Sequence, residues 1–436
     1  MKYVIFYNYE PKSLNINLKM RFMSRCSYIW AGSERDENKR NQCSEEIWEG
    51  SHEFCIFHDP SKEKDVKLFN QKLQEKLDKK DYNFRGYHFP EDVDFSGKNF
   101  EKDVYFTGAN FQEVNFSGAN FKYVDFSGAN FKYVDFSGAN FQEACFNGAN
   151  FKETYFRRTN FNGYAGFSDV TFQDAIFNKT TFKEADFSEA VIKGNLEFNP
   201  EKIEKLNLRN SQFQSRGSIT ADLTNTLFHR AFIENVAFVN CNWPDDYIIY
   251  EEKNMNEEIS YNQLETIYRD LKQNMQNHGD YDTAGELYYR EMEMRRKQSK
   301  PFRPKWWGLN ILRILCGYGE KPSRVIAVSL FIILIGANLF FFCGICRIVP
   351  EEVKIGNEHM DTTPTIIKFK YNEKKPGEIM KDFGYCTYYS VVTFTTLGYG
   401  DIYPMGYSCI FSSLEAFIGA FFIALFVVVF GRKMMR

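Results

Sequence analysis

The chain has 436 residues, enough for roughly two or three domains, and a net charge of −3, which argues against a nucleic-acid binder acting through bulk charge and against a polyanionic tail. Its 45 phenylalanines recur largely at a fixed spacing, and mean hydropathy is negative although two long apolar runs stand near the C-terminus. That contrast describes a mostly water-facing protein carrying a small membrane module.

The opening stretch MKYVIFYNYEPKSLNINLKMRF lacks the basic start, apolar stretch and small-residue cleavage site of a signal peptide, so the bulk of the chain is expected in the reducing cytosol. The ten cysteines do not form a disulfide framework, since half lie in or beside apolar segments. Residues 1–83 form an N-terminal segment whose Cys26, Cys43, Cys55 and His58 include the knuckle Cys-Ile-Phe-His. A two-residue gap between ligands is the spacing of structural zinc sites, and small polar folds use such a staple. Chance proximity of reduced side chains is the alternative. A catalytic zinc is disfavoured, because all four ligands are used.

From residue 84 to 245 the chain is periodic. Phenylalanine occupies every fifth position from Phe106 to Phe161, and two residues earlier stands a small or β-branched residue such as Ala109, Val114, Ala119 or Val124. A period of five is neither helical nor that of a strand. It suits a chain that turns a corner every five residues, with Phe and the small residue both inward, so that stacked coils form a Phe ladder. This pattern resembles the pentapeptide-repeat family, which implies a right-handed quadrilateral β-helix. About eight coils at ~4.8 Å would give a rod on the order of 40 Å long. A spacer or assembly role is the plain reading. The resemblance also implies DNA mimicry in some relatives, but that needs a strongly acidic face, and here Lys122, Lys132 and Lys152 alternate with Glu113, Glu143 and Glu153.

Residues 246–300 change to helical spacing: Leu264, Ile267, Tyr268, Leu271 and Met275, then Tyr281, Ala284, Leu287, Tyr288 and Met292. Gly279 separates the two runs, which predicts a helical hairpin packed on the end of the rod or on a neighbouring subunit. Within and after it, Arg295, Arg296, Lys297, Lys300, Arg303 and Lys305 lead to Trp306-Trp307, and the segment 301–324 reads as one that lies on the inner membrane surface.

Val325 to Cys346 carries no charge and is long enough to span a bilayer; Met405 to Phe430 is a second span, interrupted by Glu415. Arg313, Lys321 and Arg324 flank the first, and Arg432, Lys433 and Arg436 the second, which places both termini in the cytoplasm of a plasma-membrane protein. The loop 347–382 is then extracellular, and 383–395 is too short to span but fits a re-entrant pore helix. Thr396-Leu397-Gly398-Tyr399-Gly400-Asp401 follows it. Four chains presenting backbone carbonyls inward would replace the hydration shell of an ion, and the glycines allow backbone angles that a Cβ resists. With Thr-Thr before it and two spans around it, this segment resembles the filter of the two-transmembrane potassium-channel family over about 320–434. Leu397, where many members have Val, departs from the pattern at a side chain facing away from the ions.

The resemblance implies an all-α pore, a homotetramer, potassium ions in the filter, a brace by Tyr399 against the pore helix, and a hinge at Gly419. Close helix packing is the other reading of Gly419. Glu415, an intramembrane carboxylate, is a functional candidate by default and, with Tyr388 and Tyr389, a candidate support for the filter. Cys343 and Cys346 could pair only with strain. No enzymatic motif and no nucleic-acid partner is expected, nor is a voltage sensor. A gating ligand or protein partner acting on the soluble domains is expected without being identified. The competing account is a membrane-tethered repeat scaffold with a silent pore.

Overall fold

The computed structural model describes residues 25–31, 40–91, 93–255, 259–349, 363–367 and 375–435, and the chain falls into two compact units, Met1–Leu206 and Asn207–Arg436. Met405 to Phe430 and the hairpin lie wholly in the second. Of the positions singled out in the sequence, Arg436 and most of the loop 347–382 lie outside the described residues.

In the first unit, an antiparallel pair of strands, Ile29–Ala31 and Arg40–Gln42, precedes helix α1, Val66–Asp78. The Asp65 side chain caps α1 by accepting from the amides of Lys67 and Leu68 at 2.9 and 3.0 Å. Short parallel strands follow, in register every twenty residues: Asn110 faces Asn130, which faces Asn150, and Phe121 faces Phe141. Twenty residues is four sides of five, so the sequence period becomes one coil. About seven turns occupy residues 99–238, and residues 83–94 add a first, less regular coil through isolated bridges to Tyr105, Asn110 and Asn115.

The Phe ladder is continuous. Phe106, Phe126, Phe146, Phe167 and Phe187 stack with ring centroids 5.0, 5.0, 4.8 and 4.8 Å apart and nearly parallel planes. Against their sides, Phe111 and Phe116 pack edge-on. The small inward residues Ala109, Ala119, Ala129 and Ala139 are fully buried, as the space beside the rings requires. At the corners, Asp125 and Asp135 accept from the amides of Ser127 and Ser137, and glycine follows at positive φ. A Cβ on Gly128 would meet nothing within 4 Å, so its left-handed φ of 64°, not crowding, selects glycine there. The charged residues Lys122, Glu113 and Glu143 all face out and are mixed in sign.

The second unit begins with further coils and closes them with helices. Helix α2, Tyr250–Lys253, sends the buried Glu251 back to the amides of Phe228 and His229. Burial raises this carboxyl above its ordinary pKa, although those two amide bonds oppose the shift. Helices α3, Tyr261–Asn277, and α4, Tyr281–Gln298, form a hairpin about Gly279, each started by a side-chain cap, Ser260 and Asp280. Asn274 of α3 donates to the carbonyls of Ile233 and Val236 at 2.6 and 2.9 Å, docking the hairpin on the last coil. The basic stretch differs from expectation. Arg295, Arg296 and Lys297 are the last turn of α4 and pair with Glu265, Glu293 and Glu252. Lys300, Arg303 and Lys305 stand exposed ahead of the tryptophans, as does Lys297 despite its ion pair.

Helix α5, Pro304–Cys316, leaves Trp307, Ile311 and Ile314 exposed, an apolar face suited to an interface. Helix α6, Pro322–Cys343, and helix α8, Ser408–Met434, are each long and apolar enough to cross a bilayer. Their outward faces, with Phe331 and Phe417 more than half exposed, need lipid or another chain. Between them lies α7, Pro376–Phe394. Gly344 ends α6 three residues before Cys346, and α7, which covers the expected re-entrant segment 383–395 up to Phe394, begins at Pro376 because proline suits the first helical turn. Ile345–Val349 pairs with Thr363–Ile367 and with Ile402–Pro404, tying the end of α6 to the segment after the Thr396–Asp401 loop.

Candidate functional site, the pore loop and its supports

Helix α7 stops at Phe394, and its final carbonyls are taken up by the turn that follows: Thr395 and Thr396 donate their amides to Val391 and Thr393, and Leu397 to Val392. The negative end of the α7 dipole is thereby directed at the Thr396–Asp401 loop, an environment that favours a cation. In the loop, Thr396, Gly398 and Gly400 have φ of 58°, 55° and 81°. A β-branched residue at positive φ is an outlier, and such strain gathers at functional sites. All six residues from Thr396 to Asp401 are exposed in the single chain, Tyr399 by 66%. The brace expected from Tyr399 is therefore not made within one chain.

Three helices converge behind this loop. Ser390 of α7, fully buried, donates its hydroxyl to the Ile333 carbonyl of α6 at 2.8 Å and also engages Glu415 of α8. Gly336 makes room for that contact: a Cβ there would come within 2.3 Å of the Glu415 carboxylate and 2.7 Å of Ser390 Oγ. Tyr389 shares a hydrogen bond with Ser412 of α8 at 2.9 Å and meets Phe340 of α6 edge-on. Tyr388 interacts with Asp401 at the outer end of the loop. Glu415 is thus buried against α7 of its own chain. Ser390, Ser412 and Gly336 went unnoticed in the sequence, where a serine or glycine inside an apolar helix has no distinguishing pattern.

Gly419 sits where α8 presses on the end of α7. A Cβ at this position would approach the Phe394 carbonyl oxygen to 1.9 Å. Helix α8 runs unbroken through it, so close packing accounts for this glycine in the conformation described. Cys343 and Cys346 are not bonded to each other, and the Cys346 thiol donates to the Tyr403 hydroxyl at 3.0 Å.

At the opposite end of the spans, basic residues meet the hairpin. Arg432 of α8 pairs with the buried Glu320 at 3.1 Å and lies 5.0 Å over the Tyr288 ring of α4. Lys321 and Arg324, at the start of α6, lie over Tyr289, and Arg313 pairs with Glu293 at 3.2 Å. Tyr318 donates to Glu293 at 2.7 Å. Burial alone would raise the Glu293 carboxyl, yet bonds from Arg296 and Tyr318 and the neighbouring arginine charges hold it below its ordinary value. The flanks of both spans are therefore bound to one helix of the hairpin. In the sequence these residues read only as membrane flanks, since their partners lie 20 to 144 positions away.

In the first unit, Cys26, Cys43, Cys55 and His58 are all buried, with their ligand atoms within 4.8 Å of one another.

A family described as ion channel matches residues 362–436, and pentapeptide-repeat families match residues 102–138, 134–163 and 156–202. Among curated proteins, a peptidyl-tRNA hydrolase of Shewanella amazonensis is 31% identical over 87 residues, 20% of this chain and 43% of that protein, so the chain spans less than half of that relative's length. Among solved structures, a pentapeptide-repeat protein of the Arabidopsis thaliana thylakoid lumen is 23% identical, with a TM-score of 0.17, covering 24% of this chain and 67% of its own. A plasmid-mediated fluoroquinolone resistance protein is 20% identical, with a TM-score of 0.17 over 34% of this chain and 66% of its own. A pentapeptide-repeat protein involved in heterocyst differentiation regulation in the cyanobacterium Nostoc is 15% identical, with a TM-score of 0.13 over 35% and 84%. The chain joins pentapeptide repeats to a C-terminal ion-channel domain of the type with two membrane-spanning helices.

Proposed function

We propose that the protein is a potassium-selective channel subunit that works as a homotetramer in the plasma membrane, with both termini cytoplasmic, and that its repeat domain acts on the pore through the α3–α4 hairpin. The observation that carries this reading is the Thr396–Asp401 loop, exposed in one chain and set at the C-terminal end of a short helix between two spans. A loop with three positive-φ residues stands exposed on its own subunit, whereas four copies around an axis would form successive rings of carbonyls that replace the water of a dehydrated ion. The Ser390–Glu415 contact would then hold the pore helix against the inner helix while ions pass.

Reconstitution of the purified chain into liposomes, beside a size measurement, tests this. Potassium flux through a tetrameric particle is expected. A well-ordered tetramer that passes no ions would instead make the chain a membrane-tethered scaffold.

The clamp at Arg432 gives the coupling a physical basis. It ties the end of the inner helix to Glu320 and Tyr288, so opening that moves this end must loosen it. An ion pair of this partly exposed kind is worth about 1 kcal/mol, or roughly fivefold in an equilibrium. Arg432→Ala should raise the open-to-closed ratio of single channels by at least that factor, since each of the four subunits loses its clamp, while leaving ion preference unchanged. An open probability equal to that of the unaltered channel would remove Arg432 from gating.

A further inference from the structure

Three segments bring the four buried ligands of the N-terminal region together. The strand pairing of Ile29 with Gln42 sets Cys26 and Cys43 on adjoining chain ends, fixed by the Cys43 amide to the Tyr28 carbonyl at 2.9 Å and the Cys26 amide to Glu45 at 3.0 Å. A tight turn, in which the His58 and Asp59 amides both reach the Cys55 carbonyl at 3.1 Å, supplies the other two. Cys43 Sγ lies 3.9 Å from Cys55 Sγ, and His58 Nδ1 lies 3.1 Å from Cys55 Sγ and 3.4 Å from Cys26 Sγ. Zinc–sulfur and zinc–nitrogen bonds of about 2.3 and 2.0 Å at tetrahedral angles require edges of about 3.8 Å between sulfurs and about 3.5 Å between sulfur and nitrogen. The 3.9 Å and 3.4 Å distances match those edges, and the 3.1 Å between His58 Nδ1 and Cys55 Sγ is about 0.4 Å short of its edge.

The histidine is also prepared. Its Nε2 meets the Arg85 carbonyl at 2.9 Å, a bond that places the proton on Nε2 and leaves the Nδ1 lone pair facing the three thiols. Tyr28 stacks on the ring at 4.0 Å and fixes its plane. Arg85 belongs to the first coil, and the His88 amide of that coil returns to the Phe57 carbonyl at 2.9 Å. Phe57, between Cys55 and His58 in the knuckle, stacks on Tyr87 at 4.5 Å and packs edge-on against Phe69 of α1. The knuckle and α1 thus cover the first rung of the Phe ladder, an end that a solenoid must shield from water.

We propose that Cys26, Cys43, Cys55 and His58 bind one structural zinc ion that locks this cap over the N-terminal end of the β-helix. Binding releases the thiol protons to solvent as the thiolates coordinate, with no change of oxidation state. The assignment does not depend on the pore conducting.

The test uses the full chain, purified without chelator and without added metal. Metal analysis should return about one zinc per chain, and the three thiols should resist alkylation until a chelator is added. Chelation should open the segment 25–60 to protease, and zinc alone should restore its protection. Cys145→Ser, a half-buried cysteine of the coils, should keep its zinc, whereas Cys55→Ser should lose it. A metal-free chain with the same protease resistance would overturn the proposal, as would iron in place of zinc or full zinc retention by Cys55→Ser. The alkylation and protease readouts on the unaltered chain hold even if the variant does not fold.

Discussion

Gly400→Ala abolishes potassium-selective conduction while leaving membrane insertion intact. Gly400 has φ of 81° and Gly398 has φ of 55°, both in the left-handed region. A side chain carrying a Cβ pays about 1–2 kcal/mol there. Four chains contribute to one filter, so the strain on the assembled loop is about 4–8 kcal/mol, comparable to the whole stability of a domain. Within one chain a Cβ on Gly400 would touch nothing, so the subunit bears only the backbone strain of its own copy, about 1–2 kcal/mol, and still folds. Currents recorded from the purified variant check this. Selectivity equal to that of the unaltered protein would disprove the assignment of these residues to the filter.

Phe126→Ala has the largest effect expected in the soluble region. The ring is fully buried, sandwiched between Phe106 and Phe146 at 5.0 Å on each side, with Phe111, Phe116 and Phe131 against its edges. Removing it leaves a cavity inside a stack that cannot collapse without bending neighbouring coils, a loss of about 3–5 kcal/mol. Because each coil rests only on its neighbours, the damage divides the β-helix into two weakened halves. Chemical unfolding of the purified chain should show an earlier transition for the coils, whereas Lys122→Ala, on the outer face, should shift it by less than about 0.5 kcal/mol. A loss below about 1 kcal/mol for Phe126→Ala would mean that the ladder is not what holds the coils together.

The β-helix was legible in the sequence because its period is carried by every coil. Phenylalanine at a spacing of five leaves one geometry in which all the rings go inside, and the twenty-residue register between Asn110, Asn130 and Asn150 follows from it. The spans and the exposed Gly-rich loop were legible for a similar reason, as each is a local run with a local physical cause. Element ends were less so. Gly344 stops α6 before Cys346, and Pro376 starts α7 ahead of the apolar stretch, because helix ends follow capping chemistry and not apolar content.

The docking of the hairpin on the end of the rod was expected, but the individual side-chain contacts between distant elements could not be read. Arg295, Arg296 and Lys297 looked like a membrane-facing charge run, yet carboxylates on α2, α3 and α4 neutralise them. Gly419 has the same sequence appearance whether it bends a helix or admits a neighbour, and its closeness to the Phe394 carbonyl could be seen only in the fold. Glu415 could be flagged as costly inside a membrane, but its partner Ser390 and the space left by Gly336 come from two other helices.

The most direct test of the account is the reversal potential of the purified full chain in a planar bilayer, with potassium on one side and sodium on the other. The account predicts a current that reverses near the potassium equilibrium potential and shifts with the potassium concentration, since only a dehydrated potassium ion would match the carbonyl rings of four Thr396–Asp401 loops. A reversal near zero, with sodium carrying as much current as potassium, would contradict it.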